Sequence, residues 1–405
     1  MSYYRRVSPG ERTFHLAKET DPFSRKYIQV VIEGEGELKL SKWQAAIEQL
    51  SKVHVGSHLR LKGHLGFTRW DSEGAVPTVR EISPSWNGYD FDAPFLFPPP
   101  IDIRRDPLGE VVLLQDPVPR VLMRVHHAVM DGVGALLLAR DVFRVLRSEQ
   151  PLGSNSNSSE IDVWRAHNFG KREMPSVSKD AITPFGSTCG RLETNPVWAR
   201  RSLPQQGVRI IPKLALLLAE RAWRERDGTF RIALFVNLRR HLGVGQITLA
   251  NCSGMILFEV EPTDTEDKVI RKIFDKMRAR TYLDMTPYVS VVHWLPAGLF
   301  KPGLSTIRRQ YQRGTFNASA YLTHIGSFSP DQYSYGDFRA QRLIPIPPSD
   351  ATAPLHLAIC ESDETVEIVA NAPAGLAGEG KLESLMDDLD IKLVPKRMPQ
   401  SSAHA

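Results

Sequence analysis

One stretch, RVLMRVHHAVMDGVGALLLARDVFRVL at residues 120–146, limits the possible architecture more than any other part of the chain. Residues 120–125 form a short apolar run typical of a buried strand. Residues 134–146 place Leu138 and Val142 on one face at helical spacing, which predicts a long amphipathic helix. A strand that passes through a short turn into such a helix must be buried against other elements. The stretch therefore predicts a fold of the α/β (α+β) class.

Similar patterns occur on both sides of this stretch, so each half of the chain is predicted to mix strands with a few long helices. Strands are predicted at 27–33, 111–115, 120–125, 230–236, 252–260, 321–323, 343–346, 355–360 and 365–369, with a strand pair within 57–70. Helices are predicted at 39–53, 134–146, 211–223, 266–282 and 380–389. Two similar α/β layers follow from this distribution.

A change in composition separates the two halves. The segment QPLGSNSNSS at 150–159 is small and polar, which is typical of an exposed linker. Ordered structure is expected to resume fully only near Val208. We therefore predict an N-terminal unit at 1–150, a linker at 151–184, a C-terminal unit at 185–395 and a disordered tail at 396–405.

Charge and cysteine content exclude several classes of function. With 51 basic and 46 acidic residues the net charge is 51 − 46 = +5, too weak a field over 405 residues to predict nucleic-acid binding. The three cysteines form no C-x-x-C pair, which argues against a structural zinc site or a disulfide framework. No apolar run is long enough for a membrane span, and the N-terminus has no signal-peptide pattern. We expect a cytoplasmic monomer.

The pattern H-H-x-x-x-D-G at 126–132 is the candidate for chemistry, since it arises by chance in about one such chain in a thousand. Adjacent residues at the end of a strand point to opposite sides, so His126 and His127 are expected to have different roles. This geometry, and the lack of a fourth ligand, disfavour zinc. Asp131 could orient an imidazole or pair with an arginine, while Gly132 would let the backbone bend tightly.

A neutral imidazole is the side chain best suited to take a proton from an alcohol or an amine. A serine hydrolase would need a nucleophile, and the chain contains no G-x-S-x-G motif. Glycine-rich phosphate-binding loops are absent as well. The histidine motif is thus interpreted as a functional site rather than as a structural feature.

HHAVMDG at 126–132 resembles the HHxxxDG signature of the condensation-domain-like acyltransferase superfamily. That superfamily includes chloramphenicol acetyltransferase, the condensation domains of nonribosomal peptide synthetases, polyketide-associated acyltransferases and wax-ester synthases. Three other segments are loosely similar to the family. His54 and Arg60 resemble parts of its R-H-x-x-L-R segment, with altered spacing, and FVNLRR at 235–240 with Ala250-Asn251 resembles its P-V-x-x-R…G-N segment. LTHIG at 322–326 resembles its [S/T]-N-x-G strand, with His324 in place of the Asn. The D-F-G-W-G motif of the plant branch is missing.

The resemblance implies two chloramphenicol-acetyltransferase-like mixed-sheet sandwiches that form a V-shaped pseudodimer around a central tunnel. His127 would lie at the centre of the tunnel and deprotonate, or at least orient, an acceptor hydroxyl or amine for attack on a thioester carbonyl. The amide of Gly132 would help to hold the developing oxyanion.

The remaining motif residues would be structural or would contact substrate. Asp131 would pair with an arginine, with Arg239 as the first candidate and Arg60 as the second, and His126 would pack inward. Possible substrate-lining residues are Asn251, Thr323 and His324.

The function implied is that of a stand-alone acyltransferase that forms an ester or an amide, in specialised-metabolite biosynthesis. Its co-substrate would be an acyl thioester, carried on the phosphopantetheine of an acyl or peptidyl carrier protein or on coenzyme A, with no bound cofactor and no metal. Two alternatives stay open: a non-catalytic scaffold that binds carrier proteins, and an enzyme that cyclises or dehydrates a thioester-bound intermediate.

Two basic clusters have two interpretations. They are either solvated surface or a docking face for an acidic carrier protein or for the phosphates of coenzyme A. The first contains Arg200, Arg201, Arg209 and Lys213, and the second contains Arg308, Arg309 and Arg313.

Overall fold

The computed structural model describes residues 3–20, 26–64, 67–97, 99, 101–115, 117–167, 178–186, 193, 195–205, 209–284, 296–349 and 353–393. The predicted tail at 396–405 lies outside these residues. Among them, no helix has both the length and the apolar character needed to cross a lipid bilayer.

In its described residues, the first part of the chain contains three helices of 12 to 15 residues and seven strands. These elements are β1 (Tyr4–Arg6), α1 (Pro9–Thr20), β2 (Tyr27–Glu35), α2 (Leu40–Ser51), β3 (Arg60–Lys62), β4 (Arg69–Asp71), β5 (Thr78–Ile82), β6 (Gly109–Leu114), β7 (Arg120–His126) and α3 (Gly132–Leu146). A short helix, α4 (Glu160–Ala166), follows in the predicted linker.

The second part also mixes helices and strands. Its elements are β8 (Pro196–Pro204), α5 (Ile210–Glu225), β9 (Phe230–Asn237), β10 (Ser253–Val260), α6 (Glu266–Ala279), α7 (Lys301–Tyr311), β11 (Ala320–Ser327), β12 (Arg339–Ile346), β13 (His356–Glu361), β14 (Thr365–Pro373), α8 (Ala374–Ala377) and α9 (Lys381–Leu393).

Two large mixed sheets organise these elements. The N-terminal sheet has the order β12-β2-β7-β6-β5, with β5 and β6 parallel and the other pairs antiparallel. The C-terminal sheet has the order β10-β9-β11-β13-β14-β8, in which β11 is parallel to both of its neighbours. A third, three-stranded sheet has the order β1-β4-β3. The predicted mixed α/β class is confirmed.

Each large sheet buries one face under helices. The N-terminal core contains Trp43 of α2 and Phe143 of α3, both with no exposed surface. The C-terminal core contains Leu218 of α5 and Met386 of α9, which are also fully buried. Apolar side chains of this size supply most of the free energy that stabilises such layers.

The other face of the N-terminal sheet forms a third core that reaches the C-terminal sheet. Leu122 of β7 and Ile344 of β12 pack there with Trp86 from the loop after β5 and with Val369 of β14. Successive side chains of β7 point to opposite faces of the sheet, and every residue of this strand is buried. His126 ends this strand, and His127 follows it.

The boundary between the two parts is crossed by a strand. β12 comes from the C-terminal third of the sequence, yet it pairs antiparallel with β2 from Arg339 opposite Glu35 to Ile346 opposite Gln29. The proposed division at 1–150 and 185–395 stays a prediction, and this strand belongs to the N-terminal sheet.

The first part of the predicted linker is held by hydrogen bonds between residues 153 and 158. The Gly153 amide donates to Asp141 of α3 (2.8 Å), the Asn155 amide donates to the Ile247 carbonyl (3.1 Å), and the Thr248 hydroxyl donates to the Ser158 carbonyl (2.7 Å). These contacts tie the linker to both halves. The expectation that ordered structure resumes only near Val208 is wrong, because α4 and β8 precede that residue.

Candidate functional site

The segment that joins β7 to α3 carries the His-His-Asp-Gly pattern. β7 ends at His126, and α3 begins at Gly132 with Asp131 as its N-cap. The Asp131 side chain accepts a hydrogen bond from the Gly134 amide (2.8 Å), the contact that favours aspartate at this position. The turn does not depend on a glycine at 132, because its φ is not positive and an added Cβ would lie an ordinary 3.6 Å from Ile325.

The glycine that the packing does require is Gly134. A Cβ at this position would lie 2.2 Å from the carbonyl oxygen of Leu249 and 2.7 Å from the side chain of Met130. Because glycine has no Cβ, the chain before β10 can pass directly against the first turn of α3. This close approach brings Asn251 and Cys252 to the motif.

Four contacts hold His127. Its backbone amide donates to the Lys26 carbonyl (2.7 Å), and its own carbonyl accepts from Nδ2 of Asn251 (2.8 Å). Its ring Nδ1 lies 3.1 Å from the Met130 carbonyl oxygen. The ring stacks on Phe14 of α1, with centroids 3.7 Å apart and planes inclined by 16°. Backbone position, ring rotation and ring plane are all fixed.

These contacts also set the proton on His127. A carbonyl oxygen can only accept, so the neutral ring carries its proton on Nδ1 and keeps a free lone pair on Nε2. Burial lowers the pKa of His127 to about 4, an effect that the Asp131 charge opposes and the Lys26 charge reinforces. The residue retains some accessible surface. At neutral pH it is therefore a neutral imidazole whose Nε2 can accept a proton.

Asp131 pairs with Arg239, the arginine ranked first from the sequence. The two guanidinium nitrogens donate to the two carboxylate oxygens at 2.8 and 3.0 Å. The carboxylate also accepts from the Gly134 and Cys252 amides (both 2.8 Å) and from the Ser253 hydroxyl (2.9 Å). Burial by itself would raise the pKa of Asp131, but the Arg239 charge and these hydrogen bonds lower it.

This ion pair joins the two halves at the motif. Arg239 follows β9 and also donates to the carbonyls of Thr248 (3.0 Å) and Ala250 (2.7 Å). Those contacts fix the segment that includes Asn251, which in turn holds the carbonyl of His127. Asn251 was expected as a substrate-lining residue, and the contact that its side chain makes is with the backbone of His127.

His126 contacts different groups from its neighbour. It is buried, its Nδ1 accepts from the Ala128 amide (3.1 Å), and the edge of its ring lies against Tyr27 with centroids 5.5 Å apart. The two imidazoles thus have separate surroundings. No group of three His, Cys, Asp or Glu side chains in the described part of the chain is arranged to hold a metal ion.

Three other predicted residues have polar partners outside this group of contacts. Arg60 pairs instead with Asp71 (3.1 Å) and Glu73 on the β3–β4 hairpin. On β11, the hydroxyl of Thr323 lies 3.0 Å from Nε2 of His356, and Nε2 of His324 lies 2.7 Å from the Glu361 carboxylate. The polar groups of Thr323 and His324 are therefore already partnered by side chains of β13.

The three arginines of the first basic cluster form ion pairs within the protein. Arg200 is buried in β8 and pairs with Glu367 (2.9 Å), while Arg201 pairs with Asp387 of α9 (2.5 Å). Arg209 pairs with Asp267 of α6 (2.9 Å). Of the second cluster, Arg309 and Arg313 are exposed, and the Arg308 side chain lies outside the described residues.

Sequence patterns did not identify Phe14 or Met130 as parts of the site. Phe14 lies on α1, a polar helix whose apolar residues are too few to predict it, and the Met130 contribution is a backbone carbonyl that any residue could supply. The sequence feature that could have indicated the start of α1 is Pro9-Gly10-Glu11, because proline and an acidic residue are favoured in a first helical turn.

No known sequence family and no curated protein matches this chain. Solved structures do match it. The first condensation domain of the calcium-dependent antibiotic synthetase, in complex with a substrate analogue, superposes with a TM-score of 0.71 at 14% identity, over 96% of this chain and 95% of that chain. A variant of the starter condensation domain of rhizomide synthetase, in complex with C8-CoA and Leu-SNAC, gives 0.68 at 15% identity, over 96% and 93%.

An epimerization domain also shares the architecture. The domain from the third module of tyrocidine synthetase B superposes with a TM-score of 0.62 at 14% identity, over 97% of both chains. At these identities the comparison establishes the fold, and the catalysed reaction has to be argued from the site. The chain has the condensation-domain fold, which is the chloramphenicol-acetyltransferase-like architecture that the HHxxxDG motif implied.

Proposed function

We propose that this protein is an acyltransferase that moves an acyl group from a thioester to a hydroxyl or amine acceptor, with His127 as the base. One observation supports this most strongly. The Met130 carbonyl and the stacked Phe14 ring hold a neutral His127 with an unprotonated Nε2, directly before the N-terminus of α3. A base and a set of backbone donors are the two groups that acyl transfer needs.

The reaction follows from this arrangement. Nε2 of His127 takes the proton from the acceptor as its oxygen or nitrogen attacks the thioester carbonyl carbon. The carbonyl oxygen becomes an oxyanion, for which the Gly132 amide at the first turn of α3 is the candidate donor. The C–S bond then breaks, and the thiolate leaves with the proton that His127 received. An ester or amide and a free thiol are formed, and the imidazole is neutral again.

The structural neighbours support a thioester donor. One of them is a condensation-domain structure in complex with C8-CoA and Leu-SNAC. For this chain the donor would be coenzyme A or the phosphopantetheine of a carrier protein, with the acyl group presented to His127. Asp131 and Arg239 would act as a structural bridge and would not take part in proton transfer.

The proposal is tested with acyl-CoA and acyl-carrier-protein donors of several chain lengths, each with amine and alcohol acceptors. Products are identified by mass spectrometry, and thiol release is followed in parallel. We expect a product heavier by the acyl group with the wild type, and a loss of turnover on the order of a thousandfold or more in His127→Ala. The matched control is His64→Ala, since His64 is exposed before β4.

Three results would contradict the proposal. Undiminished turnover in His127→Ala would remove the histidine mechanism. A product lighter by one water would identify a dehydrating or cyclising enzyme. Binding of carrier protein with no turnover for any acceptor would identify a scaffold.

A further inference from the structure

α4 carries a buried carboxylic group beside a second one. Glu160 is 3% exposed, and Glu11 of α1 is fully buried. Glu11 is well compensated: both of its oxygens are 2.7 Å from Arg5 guanidinium nitrogens, and it also accepts from Trp70 Nε1 (3.1 Å). One Glu11 oxygen also accepts from the Ser8 amide (2.9 Å).

Among the described residues, no cation forms an ion pair of this kind with Glu160. Its Oε1 contacts the Ser8 hydroxyl and lies 3.3 Å from the Gly10 amide. Its Oε2 is buried and has no hydrogen-bond partner among the described residues. A buried carboxylate next to another carboxylate is strongly disfavoured, so the neutral acid is the stable form. Burial and the Glu11 charge together raise the pKa of Glu160 to about 8.

Glu160 reaches His127 by two routes. Through its side chain it holds Ser8 and Gly10 at the start of α1, the helix whose Phe14 covers the His127 ring. Through its backbone amide it donates to the Asn251 carbonyl (3.0 Å). The Asn251 side chain donates to the carbonyl of His127. One residue therefore contacts both elements that fix His127.

We propose that Glu160 is a positioning residue for His127 and that it acts as a neutral carboxylic acid. The proposal deepens the proposed acyl transfer and rests on it for one of its two readouts. Ionisation of Glu160 would place two buried negative charges side by side and drive the new carboxylate towards water. The start of α1 would move with it, and the stack of Phe14 on His127 would loosen.

The other ionisable groups near Glu160 do not account for a change in this pH range. Burial raises the pKa of Tyr3 and raises that of the Cys252 thiol to about 12, so both stay neutral up to about pH 10. The Arg5 guanidinium forms an ion pair with Glu11. Asp162 of α4 itself bonds to the Ser159 amide at 2.9 Å.

The test compares the wild type with Glu160→Gln, a neutral isostere of the protonated acid, and with Glu160→Ala, which lacks the side-chain contacts. Glu48→Gln, on the exposed face of α2, is the control. The first readout needs no activity: the His127 resonance is followed by NMR in ¹³C-histidine-labelled protein and assigned with His127→Gln. We expect a chemical-shift step near pH 8 in the wild type and in Glu48→Gln, and no such step in Glu160→Gln.

The second readout is turnover. Wild-type kcat should fall reversibly above about pH 8, while Glu160→Gln keeps its rate there. Glu160→Ala should lose about tenfold in kcat at neutral pH with little change in KM. If Glu160→Ala does not fold, the comparison of wild type with Glu160→Gln is sufficient.

If the His127 resonance shows the same chemical-shift step near pH 8 in the wild type and in Glu160→Gln, the positioning role is overturned, even when both proteins are fully active. Lack of any transferase activity, combined with the expected NMR step, would instead contradict the proposed function and leave the coupling established.

Discussion

Replacing Asp131 with Asn should destabilise the protein by about 3–5 kcal/mol, the cost typical of removing one partner of a buried ion pair. The Asp131 and Arg239 side chains are only 6% and 10% exposed, so water cannot replace the lost charge. Asp131 accepts five hydrogen bonds, two at Oδ1 and three at Oδ2. Whichever oxygen becomes the amide, at least two donors lose their acceptor.

The measurement is urea unfolding at 25 °C for the wild type, Asp131→Asn, Arg239→Gln and the double variant. Each single variant leaves the other member of this pair buried and uncompensated, so the double variant should lose less stability than the sum of the two single losses, by about 1.5 kcal/mol or more. The control is Asp267→Asn, which breaks a pair whose side chains are 65% and 49% exposed and should cost less than about 1 kcal/mol. A cost for Asp131→Asn within about 1 kcal/mol of the control would refute the reasoning.

Four further predictions concern the site. Because burial lowers the pKa of His127 to about 4, the acid limb of the pH–rate profile should lie near pH 4, and a limb near the ordinary histidine value of about 6.5 would contradict this environment. The same shift means that the folded state binds fewer protons than the unfolded state between these values, so stability should fall as the pH decreases through that window. Asn251→Ala should lower kcat about tenfold because it frees the His127 carbonyl, and an unchanged kcat would show that the contact is dispensable. Arg60→Gln should leave turnover unchanged and cost less than about 1 kcal/mol in urea unfolding, since its partners are on the partly exposed β3–β4 hairpin, and a lost activity would reassign Arg60 to the site.

The sequence predicted the elements whose signal is local. The strands predicted at 27–33 and 120–125 are rich in apolar residues, and α3 has a clear helical period. The Asp131–Arg239 pair could also be predicted, because the resemblance placed one arginine directly after a strand of the second half. The strand and helix predictions depend on neighbouring residues alone, whereas the ion pair was inferred from the resemblance.

The missed features depend on distant contacts. The β8 sequence is polar because it contains Arg200, whose buried charge is paired with Glu367, a residue 167 positions away in the sequence. The place of β12 in the N-terminal sheet follows from pairing with β2, which no local pattern encodes. Glu160 resembles an ordinary helix-start glutamate until the fold places it beside Glu11. Such sites are where tertiary structure overrides local sequence preference.

The central claim is that a thioester carbonyl reaches Nε2 of His127, and affinity labelling tests it most directly. Bromoacetyl-pantetheine presents a thioester with an alkylating carbon next to its carbonyl. We expect Nε2 to displace bromide, and tandem mass spectrometry to place the adduct on His127 rather than His126. Acetyl-pantetheine in excess should slow the labelling. Labelling of His127 no faster than that of exposed His64, or an adduct confined to other residues, would contradict the account.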